Sequence, residues 1–222
     1  MILNIETATD TCSAALSSGN RIFAERICTE GPSHAVQLPQ FIQQLLDEAQ
    51  HLQQPIEAVA VSAGPGSYTG LRIGVSTAKG ICYALGAKLI AIDTLQIIAM
   101  SAGAVTELIR PMLDARRMEV YTALYNRAGQ RQGNAEAQIV DADTYRAELE
   151  AHTVTFCGNG VTKCKSLLQH PHAVLAEGVV PLARNMAPIA AQHFAAGLFE
   201  DIAYFTPFYL KEFMATKPKA IF

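Results

Sequence analysis

The chain has 222 residues, half of them hydrophobic and 17% charged, with a formal net charge of −3 at pH 7. This is the composition of a folded globular protein with enough apolar residues for one sizeable core or two smaller ones, and it lacks the strongly basic body of a stand-alone nucleic-acid binder. No apolar run approaches the roughly 20 residues of a membrane span, and the N-terminus Met1-Ile2-Leu3-Asn4-Ile5-Glu6 meets an acid at once, so it reads as a strand and not as a signal peptide.

From the N-terminus, a strand at residues 2–6 and a hairpin partner at 12–16 lead through the turn Ser17-Ser18-Gly19-Asn20 into a third strand at 21–26. A helix is expected over 33–52, capped by Ser33, with Pro39 near its start and with Leu38, Phe41, Ile42, Leu45, Leu46, Ala49 and Leu52 at helical spacing. A short buried strand at 57–62 enters a glycine-rich loop, and a helix over 67–85, a strand at 88–92 and a helix at 94–103 follow.

The second half repeats this order. Met112-Leu113-Asp114 followed by Val120-Tyr121-Thr122-Ala123-Leu124 mirrors Asn4-Ile5-Glu6 followed by Cys12-Ser13-Ala14-Ala15-Leu16, with an acid ending the first strand and a Leu ten positions later. A turn at 126–129, a strand near 137–140, a helix near 142–150, a strand at 154–157, a second glycine loop Gly158-Asn159-Gly160, a helix, a strand near 173–176 and a helix over 185–199 complete the copy. Two copies of βββαβαβα predict an α/β chain of two lobes, residues 1–104 and 105–222, in the pattern of the actin, Hsp70 and sugar-kinase ATPases. The last helix is expected to pack back on the first lobe.

In such folds the first hairpin turn of each lobe holds phosphates and a metal. Here those turns are Glu6-Thr7-Ala8-Thr9 and Asp114-Ala115-Arg116-Arg117, and Glu6 is one methylene longer than an Asp. Glu6, Thr7, Gly66 and Ser67 are the candidates for a vestigial nucleotide site; an acid and a Thr capping a tight turn is the favoured reading. The loop Gly64-Pro65-Gly66-Ser67-Tyr68-Thr69-Gly70 is neither G-x-x-x-x-G-K-[ST] nor G-x-G-x-x-G, and Pro65 removes one N–H donor. A tight strand-to-helix turn capped by Ser67 or Thr69 is favoured over a phosphate cradle. No H-E-x-x-H motif and no pair of histidines four apart occurs, and His170 and His172 straddle Pro171, so no metal site is expected. Cys12, Cys28, Cys82, Cys157 and Cys164 form no C-x-x-C pair and read as reduced thiols of a cytoplasmic protein. The helix after the loop carries a stripe of small residues, Gly70, Gly74, Ala78 and Cys82. Interior glycines each cost about 0.5–1 kcal/mol relative to Ala, so something must approach that face closely. The reading is a partner interface in which Leu38, Phe41 and Leu45 serve as large anchors beside the stripe; an intramolecular neighbour is the alternative. Lys211, Lys217 and Lys219, opposed only by Glu212, make a short basic tail.

The runs Ala63-Gly64-Pro65-Gly66-Ser67-Tyr68-Thr69-Gly70-Leu71-Arg72-Ile73-Gly74 and Leu113-Asp114-Ala115-Arg116-Arg117-Met118-Glu119-Val120-Tyr121, with Ile5-Glu6-Thr7-Ala8-Thr9 and Pro207-Phe208-Tyr209-Leu210-Lys211, closely resemble the TsaB (YeaZ) family of tRNA threonylcarbamoyladenosine biosynthesis. The resemblance spans essentially the whole chain. It implies the actin-like fold and a non-catalytic accessory subunit that binds a TsaD-like catalytic paralogue and a TsaE-like ATPase. ATP and metal are then expected in those partners and no cofactor in this chain, with tRNA reached only through the complex and no membrane contact. A homodimer through the same face is the other assembly the resemblance allows. The TsaD motif H-x-x-x-H is absent, since Leu38 follows His34 at the fourth position. The competing reading is an independent ATP-dependent kinase or hydrolase of the same superfamily.

Overall fold

The computed structural model describes residues 1–29, 34–103 and 106–211. The expected Ser33 cap, the expected lobe boundary at Ala104, and the tail residues Glu212, Lys217 and Lys219 lie outside the described residues.

The elements run β1 (Ile2–Glu6), β2 (Cys12–Ser18), β3 (Arg21–Cys28), α1 (His34–His51), β4 (Ala58–Ser62), α2 (Tyr68–Leu85), β5 (Lys88–Ile92) and α3 (Thr94–Ser101). They continue as β6 (Leu108–Asp114), β7 (Glu119–Asn126), β8 (Arg131–Ile139), α4 (Arg146–Ala151), β9 (Val154–Cys157), α5 (Val161–Cys164), β10 (Ala173–Ala176) and α6 (Ala183–Ala195). The first sheet has the order β3-β2-β1-β4-β5 and the second, read from its other end, β8-β7-β6-β9-β10. In each, an antiparallel meander is extended by two parallel strands. The two halves therefore share element order, strand order and strand direction.

Each hairpin follows from its turn chemistry. Gly19 sits at φ 56° between β2 and β3, and Gly129 at φ 75° between β7 and β8. Asn126 Oδ1 accepts from the backbone N–H of Ala128 and Gln130 at 3.0 and 2.9 Å, fixing the second turn. The central strands are buried on both faces, which is why β1 and β4 read as nearly continuous apolar runs. Leu3, Ile5, Val59 and Val61 face α1 and α2, whereas Ile2, Ala58 and Ala60 face α6.

The lobes exchange their last helices. The first half contributes α3, which packs on β6 and β7, and the second contributes α6, which packs on β1, β2 and β5. Ala183, Met186, Ile189 and Ala190 of α6 meet Ala15, Ala58 and Ala60, small residues that let helix and sheet approach closely. Leu95, Ile98 and Ala99 of α3 meet Ile109, Leu113, Ala123 and Tyr125. Each lobe's core is thus completed by the other.

Candidate functional site

The glycine loop is shaped around the protein's own chain. Ser67 caps α2, its hydroxyl accepting from the Gly70 N–H at 3.2 Å, while its own N–H donates to Ala8 O at 2.7 Å. Thr7 Oγ1 donates to Gly70 O at 2.9 Å. A Cβ on Gly66 would lie 2.6 Å from Ala8 O, one on Gly70 2.0 Å from Thr7 O, and one on Gly74 2.2 Å from Thr7 Oγ1. The glycines seat the β1–β2 turn on the first two turns of α2.

This corrects the interface expectation. Gly70, Gly74, Ala78 and Cys82 face the chain's own turn and sheet, and all four are buried. Leu38 and Leu45 are fully buried in the first core, and Phe41 packs partly buried against it. The intramolecular alternative accounts for the stripe: nothing larger fits beside Thr7 at Gly70 and Gly74, and Ala78 and Cys82 pack in the first core. The outward faces of the two helices carry other residues: Val36, Gln40, Gln43 and Asp47 on α1, and Arg72, Ser76, Gly80 and Tyr83 on α2.

The two acids at equivalent positions meet opposite environments. Glu6 is fully buried; its Oε1 accepts from the Ala8 N–H at 2.6 Å, and its Oε2 has no hydrogen-bond partner. Desolvation pushes its pKa up to about 7 against the opposing hydrogen bonds from Ala8, Ser62 and Thr7. Asp114 is half-exposed; its Oδ1 accepts from the Arg116 N–H at 2.8 Å and pairs with Lys163, and its backbone N–H donates to Asn159. Arg116 and Arg117 follow at φ 71° and 50°, completing a turn closed by Ala115 N–H to Glu119 O at 3.0 Å.

Between the lobes lies a cleft of about 490 Å³, walled by residues 8–10, 65–69, 113–116, Tyr121, Asn159 and the C-terminal residues 209–211. Of the four vestigial-site candidates, Gly66 and Ser67 line the cleft, and Glu6 and Thr7 lie buried beneath it. Among the described residues no three His, Cys, Asp or Glu side chains gather as a metal site would need. Cys12, Cys82 and Cys157 are buried, and desolvation raises their thiols to about 12, 11 and 12. Sequence reading passed over two polar clusters. Asp93 caps α3 at the Leu95 N–H (2.8 Å) and accepts from Tyr125 Oη and Arg131 of the second lobe at 3.0 and 2.9 Å. An Asp immediately before an apolar helical run is a capping signal that could have flagged it. Arg110, almost fully buried, pairs with Glu148 and lies over the Tyr145 ring at 4.8 Å.

Duplicated five-stranded sheets, exchanged helices and an interlobe cleft edged by both hairpin turns define an actin-like two-lobed protein. A solved structure of EutJ from Carboxydothermus hydrogenoformans has the same fold, with a TM-score of 0.50 at 10% identity over 85% of this chain and 88% of that one. A family model described as TsaD, tRNA N6-adenosine threonylcarbamoyltransferase, matches residues 29–221. The chain is 33% identical to the tRNA threonylcarbamoyladenosine biosynthesis protein TsaB of Escherichia coli over 97% of its length and 96% of that protein's, and it belongs to the TsaB family. The alignment with Bacillus subtilis TsaB, at 36% identity, spans 56% of this chain and 54% of that one. The structure of YeaZ from Pseudomonas aeruginosa superimposes with a TM-score of 0.80 at 27% identity, covering 94% of this chain and 99% of that one. Among the described residues no helix is long and apolar enough to cross a membrane.

Proposed function

We propose that this chain is a non-catalytic accessory subunit in tRNA threonylcarbamoyladenosine biosynthesis, binding a TsaD-like catalytic paralogue and a TsaE-like ATPase in the cytoplasm. The observation that carries the reading is the filled glycine loop. In a phosphate cradle, loop N–H groups and the space beside them are open to the ligand. Here the Ser67 N–H is held by Ala8 O, and the backbone of residues 7–8 occupies the space beside Gly66 and Gly70. Glu6, the acid in the metal-ligand position, is buried under the same turn. The surface offered to the paralogue is the outward face of α1 and α2, where Ser76 and Gly80 leave room for another helix and Arg72 and Tyr83 supply contacts. The test is calorimetry of the purified chain with Mg-ATP, beside capture of a TsaD-like protein from the same source. Micromolar ATP binding, or ATP turnover lost in Glu6→Gln, would favour the independent kinase or hydrolase instead.

A further inference from the structure

The C-terminal segment that resembles the family, Pro207-Phe208-Tyr209-Leu210-Lys211, has no part in the reading above. Its course is specific. Lys79 of α2 donates to the carbonyls of Ala203 and Phe205, both at 3.1 Å, anchoring the approach to the first lobe. The Phe208 N–H then donates to Ala63 O at 2.7 Å. The Phe208 carbonyl lies over Gly64, where a Cβ would come within 2.2 Å of it. Gly64, at φ 108°, is thus required both by its own backbone and by the segment crossing it. The Tyr209 ring meets Tyr68 with centroids 4.9 Å apart, and Arg72 lies 4.4 Å from the Tyr68 centroid. Lys211 finally pairs with Glu119, at the start of β7 in the second lobe. Residues 209–211 form one wall of the interlobe cleft.

We propose that residues 206–211 are an interlobe strap that holds the two lobes at their present separation over the cleft, with the Lys211–Glu119 pair as its release point. The exchanged helices α3 and α6 and the Asp93 contacts with Tyr125 and Arg131 also join the lobes, and the strap adds a tie across the cleft itself. Its anchorage is unequal. On the first lobe it is held by the Phe208–Ala63 backbone hydrogen bond and the tilted Tyr209–Tyr68 ring contact, and on the second by an ion pair whose Lys side chain is 45% exposed. An exposed pair is weak and screened by salt, so the strap releases from the second lobe first.

The test is hydrogen exchange on the full-length chain, read separately at residues 8–10 and 65–69 of the first lobe and 113–116 of the second. Tyr209→Ala/Lys211→Ala removes an aromatic pair and an ion pair and should speed exchange on both sides of the cleft roughly tenfold, with the β1 and β6 cores unchanged. For the unaltered chain, raising salt from about 0.05 M to about 1 M should speed the same peptides a few-fold. Lys211→Gln should remove that salt dependence. Should the double variant misfold, Lys211→Gln and the salt series carry the test alone. Faster exchange confined to the strap and residues 63–69, with 113–116 unmoved, overturns the proposal, as does a salt response identical in Lys211→Gln.

Discussion

Three glycines on one helix separate the packing account of α2 from any account based on helix propensity. Replacing a helical Gly by Ala gains about 0.5–1 kcal/mol where space is open. At Gly80 no atom lies within 4 Å of an added Cβ, so Gly80→Ala should stabilise by that amount. At Gly74 the Cβ would meet Thr7 Oγ1 at 2.2 Å. That hydroxyl can move only by giving up its 2.9 Å bond to Gly70 O. Overpacking of about 1–3 kcal/mol plus a lost buried hydrogen bond of about 1 kcal/mol outweighs the helix gain, leaving a net loss of about 1–3 kcal/mol. At Gly70 the obstacle is the Thr7 carbonyl itself, 2.0 Å away, and backbone cannot rotate aside as a side chain can. Gly70→Ala should therefore lose about 3 kcal/mol or more. Urea denaturation of the three variants and the parent gives the series directly. Thr7→Ala combined with Gly74→Ala should recover part of the Gly74→Ala loss, a coupling of about 1 kcal/mol in a double-mutant cycle. The reasoning is refuted if Gly70→Ala and Gly80→Ala shift stability in the same direction, or if Thr7→Ala and Gly74→Ala are additive.

Three further outcomes follow from buried charge and the outward helix faces. Glu6 has its folded pKa raised from 4.5 to about 7, so the stability present below pH 4.5 is lost as pH rises to about 7, a loss of roughly 3 kcal/mol. Glu6→Gln should flatten that part of the pH–stability curve and be the more stable protein at pH 8; parallel curves for the two proteins would contradict this. Glu148→Gln leaves Arg110 buried without its carboxylate and should cost about 3 kcal/mol in urea denaturation, most of it recovered by adding Arg110→Met. Gly80→Arg, placed on an open helix face, should not lower the melting temperature but should lower capture of a TsaD-like partner; undiminished capture places the contact elsewhere.

The element order was legible because the acid-to-Leu register and the glycine loops punctuate both halves at equivalent places. Boundaries moved where pattern was thin. The strand expected near 137–140 spans Arg131–Ile139, because its half-exposed polar residues gave no alternation to read. The helix expected after the second glycine loop is the short Val161–Cys164. The inward direction of the Gly70–Gly74 stripe was not legible, since periodicity shows that a face is small and not what fills it. The filling group, Thr7, stands 63 residues before Gly70. For the same reason the sequence does not show that Asp93 takes its partners Tyr125 and Arg131 from the other lobe.

The most direct test of an accessory role is reconstitution. Threonylcarbamoyl transfer to tRNA would be measured with the TsaD-like and TsaE-like proteins of the same source, with and without this chain, and with this chain alone. The account predicts no transfer and no ATP turnover by this chain alone, and transfer by the mixture that is lost when the chain is omitted. Transfer or ATP turnover by the purified chain alone, or a mixture indifferent to its presence, would contradict it.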